Sequence, residues 1–80
     1  MGQEQILKKL TEIFRDVFDE PDLVLDLATT ASDVQGWDSM NHITIVVEAE
    51  RQFKVKFRTS EIEELRNVGD FVGLIEAKTA

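Results

Sequence analysis

Ile6, Leu10, Phe14 and Phe18 recur at every fourth residue, and no other feature limits the folding of this chain so strongly. Leu7, Ile13 and Val17 widen the same stripe, while Lys8, Lys9, Glu12, Arg15 and Asp16 fall opposite. The spacing therefore predicts an amphipathic helix over 5–18. Burying those seven side chains is worth roughly 10–20 kcal/mol gross at about 1.5–3 kcal/mol each, most of which chain entropy takes back. Such a stripe needs a partner face, and 80 residues leave room for a single core. The rest of the chain must supply that face.

Asp19-Glu20-Pro21-Asp22 ends the first helix, because proline lacks an N–H and restricts the residue before it. From there to Trp37, turn formers alternate irregularly with Leu23, Val24, Leu25, Leu27, Ala31 and Val34. This reads as a long loop tied to the core by those apolar side chains, and loops of that length usually carry function. Over 39–53, the β-branched run Ile43-Thr44-Ile45-Val46-Val47 favours a strand on propensity. The length, the helical propensity of Glu48-Ala49-Glu50-Arg51-Gln52 and a capped start favour a helix, with Ile43, Val46 and Val47 as its apolar face.

Lys54 to Arg58 alternates but lacks a partner strand, so an extended connector with Val55 and Phe57 tucked inward is expected. A short helix follows from Thr59, with Ser60 and Glu63 at the spacing of a capping box. Asn67 then caps a last helix to about Lys78, its core stripe being Val68, Phe71, Val72 and Ile75 with Leu74 beside them. The expected fold is all-α, with three longer helices, one short helix and a long loop between the first two.

Composition removes several kinds of chemistry. With no cysteine there is no disulfide, thiolate metal site or thiol nucleophile, which fits a reducing cytoplasmic compartment. Met1 to Gln5 does not read as a signal peptide, and no apolar run approaches a membrane span. The net charge of −7 is unevenly placed: nine acids and no Lys or Arg lie between Asp16 and Glu50. Nucleic acid and anionic membranes would be repelled there, whereas basic protein surfaces would be attracted. Solubility alone is an equally adequate reason for such a charge.

That acidic window surrounds Gly36-Trp37-Asp38-Ser39-Met40-Asn41-His42-Ile43. Asp38 is well suited to cap the helix beginning there, leaving Ser39 as the first, exposed helical residue at the positive end of the helix dipole. Asp38, Ser39 and His42 have the residue types of a hydrolytic triad. Their closeness in sequence and the lack of a Gly-x-Ser-x-Gly elbow count against catalysis, and His42 reads as a solvated surface histidine. One histidine without cysteine, and no alternating oxygen ligands, give no metal site. No residue is expected to be catalytic or metal-binding. A serine modified by another enzyme remains, beside the bland reading of an unmodified acidic interaction module.

Gly36-Trp37-Asp38-Ser39-Met40 resembles the Asp-Ser-Leu attachment site of acyl carrier proteins. The likeness continues through the first helix, the acidic loop, Glu48 to Phe53, Ser60-Glu61-Ile62 and Asn67-Val68-Gly69-Asp70-Phe71-Val72. It implies a non-catalytic carrier over residues 1–80, an acyl-carrier-type four-helix bundle. Ser39 would bear 4′-phosphopantetheine, taken from coenzyme A by a phosphopantetheinyl transferase, with Asp38 as the cap beside it. The arm would hold acyl groups as thioesters for acyl-transferring, condensing or other acyl-processing enzymes with basic docking surfaces.

The resemblance further implies that Trp37, Met40, Val46, Val47 and Glu48 form the partner interface of a monomer, and that the core near the second helix shelters part of the acyl chain. Met40 in place of leucine, Trp37, and Arg51, Lys54, Lys56 and Arg58 depart from fatty-acid carriers. They favour polyketide or other specialised pathways. A peptidyl or aminoacyl carrier is a variant of the same expectation.

Overall fold

The first helix begins two residues earlier than expected. The computed structural model describes residues 2–34 and 36–79, in which α1 (Gln3–Phe18), α2 (Ser39–Phe53), α3 (Thr59–Glu63) and α4 (Val68–Thr79) follow one another. The expected domain boundaries at Met1 and Ala80 lie outside the described residues. There is no strand among the described residues, only an isolated bridge between Thr30 and Asn67. None of the described helices is long and apolar enough to cross a membrane.

α1 is the hub. Ile6, Leu10, Ile13 and Phe14 are buried along it, and both α2 and α4 pack against it. Phe14 meets Trp37 just before α2, while Lys9 lies over the Phe53 ring at the end of α2, so α1 and α2 are antiparallel. Gln3 reaches Glu76 near the end of α4, so α4 also runs against α1. α1 stops at Asp19, which adopts the left-handed conformation (φ 54°) while its N–H bonds the Arg15 carbonyl.

α2 has the expected bounds but not the expected inner face. Its buried residues are Ile45, Val46, Ala49 and Phe53. Ile43 and Val47 instead point outward, leaving Val46 as the one member of the expected apolar face that is buried. The reason lies in the sequence: apolar residues at 43, 45, 46 and 47 surround most of the helix, so the period does not select a side. Contact with α1 does.

The loop is held mostly by hydrogen bonds rather than by the apolar set expected. Leu25 and Val34 are buried and Leu23 half-buried, but Val24, Leu27 and Ala31 are exposed. Arg15 Nε donates to the Leu23 carbonyl at 2.7 Å. Asp26 accepts from Ala28 N at 2.8 Å, and Asp33 accepts from Thr30 N at 3.0 Å. Two of the loop acids therefore fold the loop on itself.

This loop crosses the start of α4. Val68 N donates to the Thr29 carbonyl and Gly69 N to the Leu27 carbonyl, each at 2.8 Å. Asp70 N donates to Asn67 Oδ1 at 2.8 Å, and Phe71 N to the Asn67 carbonyl at 3.4 Å. Val68, Gly69 and Asp70, three of the amides that a helix start leaves unpaired, thus find acceptors, and Phe71 makes the first bond within the helix. Gly69 permits the crossing, because a Cβ there would lie 2.7 Å from the Leu27 carbonyl oxygen.

The capping box expected at Ser60 and Glu63 does not form. The helix is set so that Glu61, not Glu63, accepts from the backbone before it, Arg58 N at 2.8 Å. Glu61 also pairs with Lys78 of α4 at 3.1 Å, which ties α3 to α4 in that register. The Arg58 amide and Lys78 hold its carboxyl below the usual carboxylate pKa.

Candidate functional site

The site grows from the turn into α2. Gly36 has φ 91°, a conformation that glycine adopts without strain, and its carbonyl accepts from Asn41 Nδ2 at 2.6 Å. Asp38 follows in extended conformation, and its Oδ1 accepts from Asn41 N at 2.9 Å. This is the N-cap the sequence predicts, and it leaves Ser39 exposed as the first helical residue. Among the described residues, no protein acceptor pairs with the Ser39 or Met40 amides. The end of α2 beside the Ser39 hydroxyl thus carries unpaired N–H groups and the positive end of a dipole.

Trp37 and His42 form a clasp behind the serine. The Trp37 ring packs edge-on against Phe14 at 4.9 Å, and its Nε1 donates to His42 Nδ1 at 3.1 Å. With Nδ1 accepting, the neutral imidazole carries its proton on Nε2. The ring also meets Phe71 of α4 at 6.4 Å. Burial lowers the His42 pKa below its usual value, and the Ile62 backbone partly opposes that shift.

His42 is therefore not the solvated surface histidine that its sequence position suggested. It joins the loop, α2, α3 and α4. It is also not set to activate Ser39, because its Nδ1 lone pair is engaged by Trp37. The triad residue types come close without triad geometry.

A cavity of about 640 Å³ opens beside Ser39. Trp37, His42, Ile43, Ile62 and Leu65 give it apolar walls, with Thr59 and Arg66 among its polar lining. The exposed hydroxyl, the unpaired amides and this largely apolar recess suit a covalent phosphodiester with a flexible organic arm. The residues present fit such a group.

The residues expected at a partner interface separate into two sets. Met40 is 81% exposed and Val47 54%, with Ile43 between them at 55%, so they form an outward apolar stripe that includes a residue not expected there. Val46 is only 3% exposed and belongs to the core, which removes it from any interface. It lies one position from Val47 on a helix, about 100° around the axis, and that rotation turns it toward α1. Trp37 is half-buried and mostly occupied with Phe14 and His42. Glu48 is half-buried and pairs with Arg51 at 3.2 Å.

Residues 8–75 match the family model described as phosphopantetheine attachment site. An acyl carrier protein of Renibacterium salmoninarum is 34% identical over 79 residues, covering 99% of this chain and 98% of that protein. The solution structure of a holo acyl carrier protein from Geobacter metallireducens superposes with a TM-score of 0.84 at 43% identity, over 90% of this chain and 83% of that one. An acyl carrier protein crystal structure from Thermotoga maritima shares the fold at 24% identity, also with a TM-score of 0.84, over 98% and 91% of the two chains.

Proposed function

This chain belongs to the acyl carrier protein family, and on that premise we propose that Ser39 is the residue to which its phosphopantetheine arm is joined. The chain is a carrier, not an enzyme. The observation that supports Ser39 most is its position: an exposed hydroxyl at the Asp38-capped start of α2, on the rim of the apolar cavity. When bound, the arm supplies a terminal thiol that holds an acyl group as a thioester.

In the attachment step, Ser39 Oγ forms a bond to the phosphorus of coenzyme A that bears pantetheine. The pyrophosphate P–O bond breaks, and the adenosine bisphosphate portion leaves with the bridging oxygen. A base on the phosphopantetheinyl transferase takes the hydroxyl proton, since His42 is engaged with Trp37. Asp38 holds the helix start in place. The Ser39 and Met40 amides face the new negative charge favourably. Trp37, Ile43, Ile62 and Leu65 offer apolar surface to whatever folds back beside the serine.

Incubation with coenzyme A and a broad-specificity transferase should add one phosphopantetheine mass to the wild-type chain and none to Ser39→Ala. A Ser39→Ala chain that still gains the mass sinks the assignment. The exposed α2 face, apolar and with both its acids engaged, supports service to a specialised acyl pathway such as polyketide assembly over the housekeeping fatty-acid enzymes. A fatty-acid condensing enzyme that accepts the loaded chain as readily as its own carrier would contradict that pathway reading.

A further inference from the structure

The outer face of α2 joins two surfaces of different chemistry. Ile43 lines the cavity beside Ser39, and Val47, one turn further on, lines a second concavity with Arg51, Lys54 and Lys56. Met40, Ile43 and Val47 thus make an exposed apolar stripe that leads from the serine to a basic cluster. At about 1.5 Å per residue, Lys54 lies about 22 Å along the axis from Ser39.

The two carboxylates of α2 offset only part of this cluster. Glu48 pairs with Arg51, and Glu50, which lines the same concavity and turns its Oε2 to Phe57 N at 2.8 Å, cancels one of the two remaining positive charges and leaves an excess of one. Among the described residues, Lys54 and Lys56 are exposed and form no ion pair. The antiparallel packing of α1 brings Lys9 to the same end of the molecule. The acids at 16–38 gather instead around the C-terminal end of α1 and the start of α2. The charge is thus divided along α2, negative at the serine and positive at the far end. A Debye length of about 8 Å at physiological salt keeps the two poles electrically distinct.

We infer that the acyl-processing enzyme served by this chain docks along α2 through an apolar strip, matched to Ile43 and Val47, that ends in a carboxylate cluster matched to Lys54 and Lys56 about 20 Å from the serine. The inference rests on the carrier reading and adds the chemistry of the partner's surface. A partner that is basic throughout would meet the acids near Ser39 favourably but would oppose the lysines at the other end.

The probe is a synthetic amphipathic helix of about five turns, with leucines on one face flanked by glutamates, compared with the same peptide carrying lysines. Titration followed by amide NMR should show the glutamate peptide shifting Ile43, Val47, Lys54 and Lys56. The double substitution Lys54→Glu/Lys56→Glu should weaken its affinity roughly tenfold while leaving the circular dichroism unchanged.

The inference is overturned if the lysine peptide occupies the stripe at least as tightly, if the double substitution leaves the glutamate peptide's affinity unchanged, or if the glutamate peptide does not bind the stripe. Conversion of the same wild-type sample with coenzyme A and a transferase separates the two claims. A chain that gains its arm but fails the peptide test overturns the docking chemistry alone. A chain that gains no arm overturns the premise.

Discussion

His42 decides more than any other single side chain near the serine. Its neutral form accepts from Trp37, so protonation at Nδ1 must break the Trp37 bond. The unfolded chain takes up that proton near the ordinary histidine pKa of about 6.5, whereas burial holds the folded value lower. A lowered folded pKa contributes stability that is fully present above about pH 6.5 and is lost as the pH falls toward the folded value. The urea midpoint should therefore drop between about pH 7 and pH 5.5, a window above most carboxylate titration. His42→Gln should flatten that slope. An equal slope in both proteins would place the titration elsewhere. No periodicity rule pairs Trp37 with a histidine five positions later. The clasp became visible only once the turn at Gly36 brought the two rings together.

The elements were legible in the sequence to different degrees, for physical reasons. α1 has a single clear stripe, so its inner face followed directly. α2 has a strong cap and a helical second half, which gave its bounds, but its apolar residues nearly encircle it and left its face undetermined. The start of α3 at Thr59 was legible, but its capping box reads two residues late in the sequence because Ser60 and Glu63 have the right types and spacing. The Lys78 contact of Glu61, remote in sequence, favours the earlier register.

The loop showed its length but not its means of attachment, since the hydrogen bonds to Val68 and Gly69 leave no mark on hydropathy. Those bonds give a sharp test. Gly69→Ala gains about 1 kcal/mol in helix propensity, yet its Cβ would stand 2.7 Å from a backbone oxygen. Displacing the loop to relieve that overlap costs about 1–3 kcal/mol for the crowding, and about 1 kcal/mol more for a lost hydrogen bond. Chemical denaturation should show Gly69→Ala less stable by about 1–3 kcal/mol. A more stable variant would mean that the loop does not cross α4 as described.

At the scale of the whole molecule, α1 serves as the common partner of α2 and α4, and the long loop closes over the start of α4. This arrangement brings the capped serine, the Trp37–His42 clasp and the apolar cavity to one end of the bundle, where the negative charge also gathers. The chain itself supplies no activated nucleophile. It supplies an exposed hydroxyl at a capped helix start and a recess beside it. Under the proposed assignment, Ser39 alone receives the arm, and fragmentation mass spectrometry of the transferase-treated wild-type chain is the decisive measurement. The whole added mass should reside on Ser39, with Ser32, Ser60 and every threonine unmodified. Added mass on any of those residues, or a wild-type chain that gains none, would contradict it.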